Sequence, residues 1–262
     1  MIGVFDSGLG GLTVVRALRR LRPDLPFVYL GDTARTPYGT KGQETVQRYA
    51  DEATAFLRAQ GAQAVIIACN TASALAAEHL RASNPDFPIF EVIQPAVEAA
   101  LAVTKNGKIG VMATRSTTVS GAYEARLKMK RSDIEVVSQA APLLVPLVEE
   151  GWLDTPETSA IVGKYVAPLR DAGIDTLILG CTHYPMLKAM IAARAGEGIR
   201  LIDSAEAAAQ AFCDKLDADA TLSAAVMAKG ATKYFVTDRT PAFVDIASAW
   251  LGEPITVSLT TL

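Results

Sequence analysis

The chain has 262 residues, half of them apolar and a fifth charged, and its 25 basic and 28 acidic side chains leave a formal net charge of −3. That length and balance suit one or two globular domains with a sizeable core and argue against long disorder or a fibrous repeat. The near-neutral charge leaves no footprint for nucleic acid. The longest apolar stretches, such as Ala140 to Val148, fall short of the ~20 residues that cross a bilayer, and Met1 to Asp6 carry no basic leader, so a cytoplasmic protein without nucleic-acid or membrane partners is expected.

Short apolar runs bounded by Gly, Asp or Asn alternate with longer helical stretches, the pattern of an α/β chain with mostly parallel strands. In chain order the first half offers strands at Ile2 to Phe5, Phe27 to Leu30, Val65 to Ala68 and Ile89 to Ile93. Between them lie helical segments at Leu12 to Leu21 and at Gln43 to Gln60, the latter closing at Gly61. Arg16, Arg19, Arg20 and Arg22 fall at helical spacing and read as a solvated face. The second half offers strands at Ile109 to Met112, Ile134 to Val137, Leu177 to Leu179 and Ile199 to Ile202.

The strand starts repeat. Counted from Ile2 they fall at offsets 0, 25, 63 and 87, and counted from Ile109 at 0, 25, 68 and 90, with Ile2-Gly3-Val4 matched by Ile109-Gly110-Val111. This spacing predicts an internal duplication of a βαβαβαβ unit, giving two pseudo-symmetric α/β domains, each a mostly parallel sheet flanked by helices. The tail holds an Ala-rich helix at Ala205 to Leu216, a strand at Lys233 to Val236 and a helix near Phe243 to Leu251. Packed back on the first half, it makes residues 1–96 plus 206–262 one domain and 97–205 the other. Ligands of open parallel sheets sit beyond the carboxyl ends of the strands, so the site is expected in the cleft between the two domains.

Three cysteines, Cys69, Cys181 and Cys213, lie far apart without a CxxC pair, as suits free thiols in a reducing compartment. Cys69 and Cys181 each follow the third strand of their half and should face each other. Each precedes small polar residues and a helix start, which favours an anionic ligand and a reactive thiol. Cys213, in an Ala-rich helix, reads as core, and His79 as a surface or capping residue. His183 lies two residues beyond Cys181, within reach of its thiol; a zinc site at Cys181-x-His183 lacks the remaining ligands. Gly8-Leu9-Gly10-Gly11 after the first strand invites a dinucleotide reading with Asp32 as ribose ligand. Against it, the third glycine of GxGxxG falls on Thr13 and Asp6 would oppose a pyrophosphate. These glycines read instead as letting backbone approach a small ligand, and Asp6 is open to either a capping or a catalytic role.

Phe5-Asp6-Ser7-Gly8-Leu9-Gly10-Gly11, Pro37-Tyr38-Gly39, Ala68-Cys69-Asn70-Thr71-Ala72 and Gly180-Cys181-Thr182-His183-Tyr184-Pro185 resemble, in order, the signature segments of bacterial glutamate racemases of the aspartate/glutamate racemase superfamily. Ala113-Thr114 with Thr117, Leu147-Val148-Glu149 and Ile202-Asp203-Ser204 extend the likeness over nearly the whole chain, with Ser116 standing where members often have Gly. The resemblance implies a 1,1-proton transfer at the α-carbon of glutamate that needs no cofactor and no metal. Cys69 would deprotonate D-glutamate and Cys181 L-glutamate, from opposite faces, with Asp6 assisting Cys69 and His183 with Glu149 assisting Cys181. Glu150, adjacent to Glu149, is equally available. Inversion needs one ionised and one protonated group whose roles exchange, and free cysteine near ~8.5 must be tuned locally for that. Asp6, Ser7, Asn70, Thr71, Thr182 and His183, with nearby backbone N–H groups, are the implied substrate contacts, and Tyr38 and Gly39 close the site. The resemblance further implies supply of D-glutamate for peptidoglycan and a homodimer, although no apolar stripe marks an interface. Aspartate or hydantoin racemisation, a two-lobed binding protein with inert core cysteines, and a nucleotide-dependent oxidoreductase are the competing readings.

Overall fold

The computed structural model describes residues 1–227 and 230–262. Among these described residues ten strands form two wholly parallel sheets. β1 (Ile2–Asp6), β2 (Phe27–Gly31), β3 (Ala64–Ile67) and β4 (Ile89–Glu91) belong to the first sheet. β5 (Lys108–Ala113), β6 (Glu135–Ala140), β7 (Thr176–Gly180) and β8 (Arg200–Asp203) make the second, in the order β6-β5-β7-β8. β9 (Lys233–Val236) and β10 (Val257–Leu259) return to the first sheet, whose order is β10-β9-β2-β1-β3-β4. Without those last two strands the sheets share one topology, second-first-third-fourth, so the repeat in strand spacing corresponds to a repeat in connectivity.

Parallel strands covered by helices on both faces read as continuous apolar runs, and β1, β2, β3 and β7 are buried at every position. Helix Leu12–Leu21 buries Leu12, Val14, Val15 and Leu18 on one face, and its last-turn Arg19 and Arg20 oppose the negative end of the helix dipole. The arginine face is solvated and paired: Arg19 meets Glu253 at 2.6 Å, Arg22 meets Asp217 at 2.7 Å and Arg20 lies 3.9 Å from Glu206. Helix Gln43–Ala59 ends where Gly61 takes φ +94°, a conformation that L side chains rarely adopt. Helix Ser204–Ala218 packs on Leu12–Leu21 and also on Ile93–Val103, and Cys213 is buried in that core as expected.

Two expectations change. Ile93 opens helix Ile93–Val103 instead of ending β4, because the Glu91 carboxylate accepts the backbone N–H groups of Ile93 and Gln94 at 2.5 and 3.0 Å and so caps the helix. β10 was not anticipated: it is a three-residue edge strand in which Val257 alone is buried. Among the described residues no helix is long and apolar enough to cross a membrane, and no three His, Cys, Asp or Glu side chains gather as metal ligands.

Candidate active site

In each sheet the chain leaves the first strand in one direction and the third in the other, so a crevice opens at their carboxyl ends, the place where ligands of such sheets bind. β1 delivers Asp6 and Ser7 to that edge, and β3 delivers Cys69, Asn70 and Thr71 at the start of helix Asn70–Ser83. β5 leads to Thr114, which caps helix Arg115–Ser120, and β7 leads to Cys181, Thr182 and His183. The four ends converge: Cys69 and Cys181, from different sheets, line one cavity of about 330 Å³, its open mouth included. Ser7, Tyr38, Gly39, Asn70, Thr71, Thr182 and His183 line it with them.

The two thiols sit in different surroundings. Cys69 is the N-cap of its helix; its Sγ accepts the Ala72 N–H at 3.5 Å and lies 3.6 Å from the Ser7 hydroxyl. Burial, reinforced by the negative charge of Asp6, pushes this thiol up to about 12, and the Ala72 and Ser7 hydrogen bonds only partly oppose the rise. Asp6 is wholly buried, accepts the Gly8 N–H at 3.0 Å and the Thr182 hydroxyl at 3.4 Å, and is raised by burial against the pull of His183. Cys181 instead has an imidazole at hand. Its Sγ lies 3.9 Å from His183 Nδ1, and His183 Nε2 meets Glu149 Oε1 at 2.9 Å. Burial alone would lower His183, but its bonds to Cys181 and Glu149 outweigh it and push the ring up to about 10. A cationic His183 therefore stands beside Cys181 at neutral pH, a partner for negative charge on that sulfur.

Of the two candidate carboxylates, Glu149 makes this contact. It closes helix Leu144–Glu149 and, like Glu150, borders a neighbouring pocket that also takes in Asp238 and Phe243, but only Glu149 reaches His183. Asn70 spends its side chain across the cleft, accepting the Tyr123 hydroxyl at 2.6 Å and donating to Ser204 Oγ at 3.2 Å. Its backbone N–H, at the first turn of the helix, faces no intrahelical acceptor and can serve a ligand. Thr71 joins Thr114 and Thr117 in a triangle of hydroxyls 2.9–3.2 Å apart. Tyr38 is a wall rather than a donor: its buried hydroxyl goes to Asp32, and burial with that carboxylate raises the phenol further.

The glycine segment works differently from the expectation. A Cβ on Gly10 would lie 2.2 Å from Thr182 Oγ1 and 2.7 Å from His183 Nδ1, and one on Gly11 would lie 2.4 Å from Asp6 Cβ. These glycines let the β1 loop approach Asp6 and the β7 loop, not a ligand. Asp32 is likewise not a ribose ligand, since Tyr38, Arg35 at 2.7 Å and Thr237 at 2.8 Å already occupy its buried carboxylate. His79 pairs with Asp51 at 2.8 Å on the surface. Two residues escaped the sequence reading: Val145, which lines the cavity, and Trp250, whose ring stands edge-on to His183 with centroids 6.3 Å apart. Val145 was within reach, because it precedes Glu149 by four residues and so shares its helix face. Trp250 arrives from the far end of the chain and gave no local signal.

The model of the Asp/Glu/Hydantoin racemase family matches residues 12–212. Glutamate racemase of Geobacter metallireducens is 43% identical over 251 residues, covering 96% of this chain and 92% of that relative. Among solved structures, a glutamate racemase isoform from Bacillus anthracis superposes with a TM-score of 0.93 at 38% identity, covering 100% of this chain and 97% of its own. Glutamate racemase from Francisella tularensis, in complex with D-glutamate, superposes at 0.90 with 33% identity over 99% and 97% of the two chains. The chain belongs to the Asp/Glu/Hydantoin racemase family, among its glutamate racemases.

Proposed function

We propose that this protein interconverts L- and D-glutamate by direct proton transfer between two thiols and the substrate α-carbon. The observation that carries the reading is the placement of Cys69 and Cys181 at equivalent strand ends of two sheets, on one small cavity. Inversion of a stereocentre needs a base on one face and an acid on the other. Thiols from opposite walls supply that pair, and exchange of their protonation states reverses the direction. Family membership and the D-glutamate held by the Francisella relative support glutamate as the substrate.

The likeness to glutamate racemases assigns the roles, and the surroundings of each thiol support them. Cys181, beside the His183–Glu149 pair, is the base that removes the proton of L-glutamate. Cys69, held as thiol, donates to the opposite face; from D-glutamate the roles exchange. Asp6 and His183 assist. Acid–base catalysis supplies about 10² to 10⁴-fold, so charge developing on the α-carboxylate needs further stabilisation. No Lys or Arg lines the cavity among the described residues. The carboxylates are therefore held by neutral donors: the hydroxyls of Ser7, Thr71 and Thr182 and the backbone N–H groups of Asn70 and its neighbours at a helix N-terminus. Tyr38 and Gly39 enclose them. In this reading the lobes are residues 1–96 with 206–262, and 97–205, and the enzyme supplies D-glutamate for peptidoglycan from the cytoplasm.

The test is circular dichroism of L- and of D-glutamate in D₂O with the purified protein alone. Enantiomers have equal free energy in an achiral solvent, so both signals decay to zero and deuterium appears at the α-carbon. Cys69→Ala and Cys181→Ala each slow racemisation by at least about 10²-fold. A single variant that racemises near the wild-type rate refutes the two-thiol mechanism, and faster turnover of aspartate or a hydantoin refutes the substrate.

A further inference from the structure

The segment that encloses the cavity from the first lobe, the turn Tyr38–Thr40, is anchored at one end by the Tyr38 hydroxyl on Asp32 and runs through Lys41 into helix Gln43–Ala59. Its other edge rests on the second lobe. Gly39 lies so close to Thr114 that a Cβ would come within 2.8 Å of the threonine Cβ. The Ser116 hydroxyl reaches across and donates to the Gly39 carbonyl at 2.8 Å, with the Lys41 carbonyl at 3.2 Å as a second acceptor. Among the described residues these are the only hydrogen bonds from the second lobe to the 38–41 segment. Ser116 itself lies outside the cavity lining. It sits in the first turn of helix Arg115–Ser120, whose cap Thr114 and whose Thr117 join the Thr71 triangle. One short helix of the second lobe thus grips both the Cys69 helix and the enclosing turn.

We propose that Ser116 is a positioning residue that latches the Tyr38–Thr40 turn over the cleft and so sets the free energy of opening the site. The carbonyls of Gly39 and Lys41 are backbone groups and cannot be removed by substitution, which makes the serine hydroxyl the adjustable half of the contact. Loss of this contact leaves the Tyr38–Asp32 anchor and the strand pairing of both sheets in place. Loss of the hydroxyl favours the open cleft by the net worth of a neutral hydrogen bond, equivalent to roughly a 2- to 12-fold change in the opening equilibrium.

The mutational test compares Ser116→Ala with Ser116→Thr, which restores a hydroxyl. The first readout is the alkylation rate of Cys69 and Cys181 by iodoacetamide without glutamate, each site followed by mass spectrometry. Ser116→Ala should speed it about 2- to 12-fold, with Ser116→Thr returning it toward wild type and thermal unfolding confirming that both variants fold. The second readout is kinetic: for both enantiomers Ser116→Ala raises KM by a similar factor while kcat moves less than about twofold, as expected for a change in closure alone. Unchanged alkylation in Ser116→Ala, or a fall in kcat at constant KM, overturns the latch. The kinetic readout rests on the proposed activity, but alkylation does not, so failure of the wild-type protein to turn over glutamate leaves the latch decided by the first readout.

Discussion

Replacing Glu149 by Gln removes a charge from the end of the Glu149–His183–Cys181 chain while keeping the shape. His183 Nε2 meets Glu149 Oε1 at 2.9 Å, and the ring is held up at about 10 in spite of its burial. A hydrogen bond to a charged group contributes about 1.5–3 kcal/mol, and about 1.4 kcal/mol corresponds to one pH unit in an ionisation. The Glu149 side chain is 36% exposed, so water screens part of the interaction and the lower end applies. Glu149→Gln should therefore lower the His183 midpoint by roughly one pH unit. The chain has only two histidines, His79 and His183. Ring nitrogen shifts followed by NMR across pH 5–11 thus give two titrations, assigned with a His79→Gln variant.

The same shift has a stability signature. His183 keeps its proton in the folded state up to about 10, whereas in the unfolded chain it loses it near ~6.5. Its contribution is thus full below the unfolded value and fades as pH rises through the folded one. In Glu149→Gln it fades earlier. In the proposed reaction the alkaline limb of kcat/KM moves down with the titration. Because the enantiomers have equal free energy, kcat/KM must fall equally in both directions, so any asymmetry is confined to kcat and KM taken singly. An unmoved His183 midpoint in Glu149→Gln refutes the assignment of the raised value to this pair.

Two other substitutions test the neighbouring contacts. Asp6→Asn removes the negative charge that, after burial, most strongly opposes the Cys69 thiolate; alkylation of Cys69 at pH 8–9 should become faster, and an unchanged or slower rate contradicts that electrostatic account. Gly10→Ala places a methyl against Thr182 and His183 and should cost about 1–3 kcal/mol of stability, seen as a thermal midpoint lower by a few degrees. Gly42→Ala, where nothing lies within 4 Å of the added carbon and φ is −76°, should leave the midpoint unchanged. Equal behaviour of the two alanines defeats the packing argument.

Much of this architecture was legible because its signals are local. The apolar face of Leu12–Leu21 and the buried run of Lys233–Val236 each declare their element within a few residues, and both have the expected bounds. The repeated topology was legible in the strand spacing taken with the match of Ile2-Gly3-Val4 to Ile109-Gly110-Val111 and the equivalent cysteines. What was hidden depends on residues far apart in sequence. The need for glycine at position 10 comes from Thr182 and His183, more than 170 positions away, and the saturation of Asp32 comes partly from Thr237. The choice between Glu149 and Glu150 turns on helix phase, since consecutive residues project about 100° apart and only the packed helix fixes which one meets His183. β10 escaped because three residues with one buried position carry no periodicity.

The two lobes keep one topology while their thiols have diverged, and this asymmetry bears on how the proposed reaction starts. With Cys69 near 12, forming its thiolate at pH 7 in the empty site costs about 7 kcal/mol, at about 1.4 kcal/mol per pH unit. Cys181 instead has the His183 imidazole 3.9 Å away. The empty site thus favours Cys69 as the thiol, the state that the proposed mechanism assigns to turnover of L-glutamate. In the proposed mechanism turnover of D-glutamate needs the opposite state, and no Lys or Arg lines the cavity to favour it among the described residues, while the His183 imidazole contacts Cys181 rather than Cys69. A compensating charge comes with the substrate itself, whose α-ammonium is a cation attached to the reacting carbon. Binding therefore does more than position the C–H bond: in a buried site of low dielectric, the substrate's own positive charge offsets the burial and the Asp6 repulsion that hold the Cys69 proton in place.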